Sequence, residues 1–260
     1  MDELLKLLSE LTHRLPWIGA GLALALALGA ALRLRVADLR QRGLIRPMNM
    51  SGGRVARQLL DRNGMANVEI LPAKRGMGEA YRSDLRALFF SEANFRSHSP
   101  VAVAVAIHET GHAIQIRRQH WNVGIRFLLL HWTPLLAAAA WVAFLVGAGW
   151  HWQGGAPGWA VRGEWLGGLT LGGLALLHLL TLRIEHRAAH RPLHQLGERG
   201  LMDADQFQRL RPFLHTLVVA ECILLMPLLA FVCPPRLTAR PGLEDPAGET
   251  AASPEAPPPR

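Results

Sequence analysis

Cysteine is nearly absent from this 260-residue chain: Cys222 and Cys233 are the only two. Two thiols cannot build a Cys-rich metal site, and both lie in or near an apolar stretch, where they read as packing residues. Lysine is as scarce, with Lys6 and Lys74 alone, and Tyr81 is the single tyrosine. Charge is missing altogether from Phe127 to Trp150. Gly163 to Leu182 carries one charge, Glu164; Phe213 to Pro235 carries one, Glu221; Pro16 to Leu32 carries none. Each of these four blocks is close to the roughly 20 apolar residues that cross a bilayer as a helix. Their presence marks an integral membrane protein.

The first block does not read as a cleaved signal. Met1 to Leu15 mixes Asp2, Glu3 and Glu10 with Lys6 and Arg14, so there is no basic leader, and Arg33-Leu34-Arg35 does not resemble a small-residue cleavage site. The net charge of +8 is almost wholly arginine. Its placement argues against nucleic acid as the partner. Arginines crowd Arg33 to Arg62 and Arg183 to Arg211, whereas the link His151 to Arg162 holds only Arg162. That asymmetry is the positive-inside pattern, which puts segments 33–125 and 183–212 in the cytoplasm.

Against this background one motif carries chemistry. His108-Glu109-Thr110-Gly111-His112 reads H-E-x-x-H within the run Ala102 to Gln115, which is proline-free and alanine-rich before the motif. On a helix, residues i and i+4 share a face one turn apart, so His108 and His112 can hold one metal ion while Glu109 reaches a water beside it. The pattern can arise by chance on an exposed helix. Here its neighbours are Val103, Val105, Ala106, Ile107, Ala113 and Ile114, and burying two imidazoles and a carboxylate among them is costly without a compensating ion. One zinc ion is the expected cofactor.

Zinc ordinarily takes a third protein ligand. After His112 the chain crosses the membrane twice, which returns it to the side it left. The residues that emerge there are Arg183-Ile184-Glu185-His186-Arg187-Ala188-Ala189-His190. Glu185, the first carboxylate on that side, is favoured by position. His186, His190 and His194 form an i, i+4 stripe that also offers ligands, or is simply a solvated or headgroup-facing stripe, and Pro192 is expected to break its helix.

The remaining elements are short. Ser51 to Gly64 reads as a helix with Ser51 as N-cap and Asn63-Gly64 as its stop. Val68 to Leu71 and Leu85 to Ser91 read as strands. Together with the motif helix, a helix and two or three strands make a small α+β unit that leans on the spans. An extended substrate can add to the strand Leu88 to Ser91 (which carries Phe89 and Phe90), unless that strand is simply core. Tyr81 and His215 are candidates for a donor to the oxyanion. Glu221, a carboxylate in mid-span, needs a partner such as His178 or a polar cavity.

The chain resembles the YugP-type membrane zinc metallopeptidases of bacteria from about Met50 to about Leu229. The resemblance is carried by Ser51-Gly52 with Val55-Ala56, by Leu60-Asp61-Arg62-Asn63-Gly64 and Asn67-Val68, and by Leu88 to Asn94. It continues through Ala104 to Gln115 and Glu185-His186-Arg187-Ala188-Ala189. In that family the residue matching Glu185 opens a Glu-x-x-Ala-Ser segment and is the expected third zinc ligand. The sequence departs from the family at Glu79-Ala80-Tyr81-Arg82-Ser83, where Asp-His-Tyr-Asp-Pro is common, and at His186-Arg187 and Ala189, where the family has Phe-Asn and Ser. None of these changes touches a ligand or the base.

The expectation is a mainly α, integral membrane protein with about four transmembrane helices and a small α+β zinc-peptidase unit between spans one and two. The spans are 16–34, 126–150, 159–182 and 213–235. An N-terminal segment 1–15 precedes them. Between them lie a cytosolic part 35–125 with its zinc helix at 101–119 and a cytosolic helical segment 183–212 carrying the third ligand. A disordered tail covers 236–260, where proline, alanine, glycine and glutamate have little to bury. The site is expected on the cytoplasmic side of a bacterial inner membrane. Peptides or proteins, membrane proteins among them, are the expected substrates, and the lipid bilayer is the other partner. A zinc-binding scaffold without turnover is the alternative; a pore or transporter fits less well, because the spans show no polar stripe.

Overall fold

The computed structural model describes residues 2–43, 46–73, 79–118, 122–198 and 200–239. The chain is mainly helical. Helix α1 spans Asp2–Arg42, α2 Gly52–Arg62, α3 Glu92–Arg96 and α4 Pro100–Arg117. Then come α5 Asn122–Trp152, α6 Gly158–Gly197, α7 Ala204–Ala220 and α8 Pro227–Val232. Three short strands, β1 Glu69–Pro72, β2 Ala80–Arg82 and β3 Ala87–Phe90, lie between α2 and α3.

Among the described residues three helices are long and apolar enough to cross a membrane: His13–Arg42 within α1, Leu128–Trp152 within α5, and α6. Side chains such as Leu135, Val142, Leu166 and Leu180 face outward from them, as lipid-facing positions do. The helices pack through small residues. A Cβ added at Gly168 would meet the backbone of Pro16 at 2.3 Å, so α1 and α6 approach at a distance only glycine allows. Glu164, the lone charge of the third apolar block, is 4% exposed. It accepts hydrogen bonds from the indole of Trp17 at 2.7 Å and from His151 at 3.1 Å.

The fourth expected span is not one helix. Over 213–235 the chain is the end of α7, a 3-10 turn at Glu221–Leu225 and the short α8. Pro227 lacks the N–H a continuing helix would need, and Met226 before it is driven to φ −126°, ψ 88°. Pro192 does not break the helix: α6 runs through it to Gly197, so Glu185 stands on the same continuous helix as the third expected span.

α2 follows the sequence reading. Ser51 caps it by accepting from the amide of Arg54, and Gly64 takes φ 67° just past its end. The sheet order is β1-β3-β2, with β1 parallel and β2 antiparallel to β3. β3, the most apolar strand, is therefore central and paired on both sides. The expectation that a substrate adds to Leu88–Ser91 is overturned, because β3 has no free edge; the outer strands are β1 and β2. The expected tail is described as far as Ala239, and Leu237 and Ala239 are both buried. The rest of that tail, 240–260, lies outside the described residues.

Candidate metal centre

The centre is built on α4, which begins where Ser99 accepts from the amide of Ala102 at 3.1 Å, with Pro100 in its first turn. Every residue from Pro100 to His108 is buried. A helix apolar on all sides belongs in a core, and α4 packs against α2, α3, α6, α7 and the sheet. The sequence thus places two histidines deep inside the protein rather than on its surface.

α5 and α6, joined by the link 153–157, pack along each other and bring the chain back to α4. The crossing of α4 and α6 is set by Gly111. A Cβ there would lie 1.9 Å from the carbonyl oxygen of Ala188, so only glycine permits this approach. The side-chain Nε2 of Gln115 donates to the carbonyl of Ile184 at 3.0 Å and fixes the register. The result sets Glu185 over the histidines. Its Oε2 lies 3.1 Å from His112 Nε2 and 3.3 Å from His108 Nε2, and the two Nε2 atoms are 3.2 Å apart. His108 and His112 are each 3% exposed and Glu185 1%.

These three donor atoms could hold a metal ion. The donor set suits it: two imidazole nitrogens and one carboxylate oxygen match zinc's preference for mixed N/O ligands. Burial pushes His112 down to about 4, leaving its ring neutral and its lone pair available at neutral pH. At His108 burial also disfavours the proton, but the hydrogen bond and charge of Glu185 outweigh it and raise the pKa. The residues fit a zinc ion.

Beside the centre is a cavity of about 350 Å³. Its walls include Glu109, His112, Tyr81, Arg126, Glu221 and Leu237. Burial raises the Glu109 carboxyl to about 7, against the pull of His108 and Arg126. A carboxyl poised there exchanges protons readily near neutrality.

Sequence reasoning missed Arg126. It is 8% exposed and donates through Nε to Glu185 Oε1 and through its terminal nitrogen to Glu221 Oε1. It engages one carboxylate oxygen of Glu185 and leaves the other turned to the histidines. It is also the partner of the anomalous Glu221; His178 instead donates to the carbonyl of Leu174 on its own helix. The signal was an arginine at the edge of the charge-free block 127–150, which reads equally well as an ordinary flanking charge.

Of the expected substrate contacts, the structure brings Tyr81 to the cavity, on the outer strand β2. Phe90 is fully buried in the core, and Phe89 does not line the cavity. His215 is elsewhere: it lines a separate cavity with Arg33, Arg40 and Phe213, its ring centroid 5.3 Å from that of His190. His186 and His190 stack at 4.0 Å in that same cluster. Among the described residues the histidine stripe takes no part in the metal centre.

The chain is similar to known proteins. A family described as "Putative neutral zinc metallopeptidase" matches residues 17–234. The "Putative membrane protease YugP" of Bacillus subtilis (strain 168) is 27% identical over 194 residues, covering 70% of this chain and 79% of its own. No solved structure matches the chain.

Proposed function

The chain belongs to the neutral zinc metallopeptidase family, and from that premise we propose that it is a membrane-embedded, zinc-dependent peptidase that hydrolyses peptide bonds of protein substrates beside the membrane. The observation that carries this reading is the convergence of His108 Nε2, His112 Nε2 and Glu185 Oε2 at the edge of a cavity that Glu109 also lines. His108, His112 and Glu185 would hold one zinc ion. Bound there, it would supply Lewis acidity toward a water and the scissile carbonyl.

The chain's own groups do the rest. Glu109 takes the proton of the attacking water and passes it to the leaving amine, a task suited to a carboxyl poised near neutrality. Arg126 orients Glu185 by engaging its second oxygen. The hydroxyl of Tyr81 can donate to the oxyanion from β2. The arginine-rich ends of α1 and α6 support a cytoplasmic site in a bacterial inner membrane. The intact Glu109 favours a peptidase over a zinc-binding scaffold, which would not need it.

Zinc content of the purified protein tests the centre. Glu185→Ala lowers bound zinc sharply while His190→Ala leaves it at one ion per chain. Equal zinc in both variants refutes the assignment. Cleavage of an unfolded protein that is abolished by a chelator and restored by zinc supports the activity.

A further inference from the structure

The segment that follows α8 does not leave the molecule. Pro235, Arg236 and Leu237 line the same cavity as Glu109 and His112. Leu237 and Ala239 are each 4% exposed. Leu237 packs into the core, and Asn94, itself fully buried, grips the main chain on either side of residue 238. Asn94 Nδ2 donates to the carbonyl of Leu237 at 3.1 Å, and its Oδ1 accepts from the amide of Ala239 at 2.7 Å.

That pairing has a specific form. In a parallel β-ladder one residue donates to the carbonyl of residue i−1 and accepts from the amide of residue i+1 on its neighbour. Asn94 presents the same donor and acceptor to Leu237 and Ala239, so its side-chain amide imitates a strand residue toward an extended peptide. The orientation of the amide is fixed from behind. Its second N–H donates to Glu79 Oε1 at 2.8 Å, and the hydroxyl of Ser91 holds that same oxygen at 2.6 Å. A carboxylate accepts only, so Nδ2 must face Glu79 and Oδ1 must face the peptide. Glu79 itself lines the cavity beside Ala80 and Tyr81. Both hydrogen bonds go to main chain, so the clamp reads backbone rather than side chains.

We propose that Asn94, set by Glu79 and Ser91, is a backbone clamp for extended polypeptide beside the active cavity, and that residues 235–239 occupy it as a resident ligand which a substrate displaces. The proposal rests on the peptidase reading for the identity of the displacing chain. It implies a substrate class: unfolded or extended segments, with little preference for side chains at the clamp but no proline where Ala239 now donates its N–H. A tethered occupant competes at high effective concentration, so the intact chain binds free peptide weakly.

The test is binding in detergent, in a Glu109→Gln background so that the probe is not cut. The probe is a fluorescein-labelled peptide with the sequence of residues 234–240, read by anisotropy. The chain ending at Pro234 is expected to bind it at least tenfold more tightly than the full chain. In the full chain, Ala239→Pro removes one tail hydrogen bond without truncation and moves affinity in the same direction. Asn94→Ala in the shortened chain abolishes the gain, and a peptide with proline in place of Ala239 does not bind. The clamp is overturned if the shortened chain and the Ala239→Pro chain bind no better than the full chain, or if Asn94→Ala binds as well as its parent. Tight, Asn94-dependent binding without any cleavage by the chain that retains Glu109 would sink the peptidase reading and leave the clamp standing.

Discussion

Replacing Gly111 by alanine sets two effects of opposite sign against each other. In an isolated helix the change stabilises by about 1 kcal/mol, because alanine is the better helix former. In this protein the new Cβ would sit 1.9 Å from the carbonyl oxygen of Ala188, where real Cβ contacts stay beyond 3.0 Å. The obstacle is backbone, so no rotamer relieves it, and α4 and α6 must separate by about 1 Å. Forcing such a shift in a packed core costs about 1–3 kcal/mol, so the clash outweighs the propensity. The same shift draws Glu185, one turn from Ala188, away from both histidines. Metal sites tolerate about 0.2 Å in ligand position, so zinc affinity falls by at least tenfold. The assay is a competition titration against a zinc chelator, with thermal unfolding measured with and without zinc. Gly173→Ala is the control. A Cβ there meets nothing within 4 Å, so that variant keeps its zinc affinity and gains the helix-propensity term, unfolding no more easily than the unaltered chain. Gly111→Ala with unchanged zinc affinity would refute the account of how α4 and α6 assemble the centre.

Three other consequences are open to measurement. Arg126→Gln leaves Glu185 and Glu221 facing each other without their shared cation; zinc affinity drops about 10- to 100-fold and unfolding becomes easier by about 3–5 kcal/mol, read by chelator competition and denaturant titration. The base form of Glu109 is the active one, so kcat/KM rises with pH; its acid limb lies between the ordinary 4.5 and about 7, because burial raises the carboxyl and a bound cation draws it back. Glu109→Gln abolishes that limb along with turnover. Tyr81→Phe lowers kcat about 100-fold with little change in KM if its hydroxyl serves the oxyanion, and steady-state kinetics on one peptide substrate separates the two constants.

Much of the centre was legible because its determinants are local or topological. His108 and His112 are one helical turn apart, and the apolar run around them implies burial. Glu185 was reached by expecting two crossings that return the chain to its starting side, and α6, packed along α5, does bring it against α4. Arg126 was not legible, because its role depends on α5 beginning against both α6 and the turn at Glu221, a tertiary fact no local pattern encodes. The fourth span failed for a related reason. Hydropathy over 213–235 is high, but Pro227 divides the stretch, and Glu221 is tied to Arg126. β3 was recognised as a strand, yet its central place depends on pairing with β1 and β2, the latter only Ala80 to Arg82 and too short to announce itself. Asn94 closed a stretch that carried the resemblance, but nothing in that stretch pointed to its contact with a segment more than a hundred residues downstream.

The central claim is that one zinc ion held by His108, His112 and Glu185 works with Glu109 to cleave peptide bonds. The most direct test is Glu109→Gln against the unaltered chain, both purified in detergent, with zinc content and cleavage of an unfolded protein measured on the same samples. The account predicts one zinc per chain in both and cleavage only where Glu109 is present. Cleavage that persists in Glu109→Gln at full zinc occupancy would contradict it.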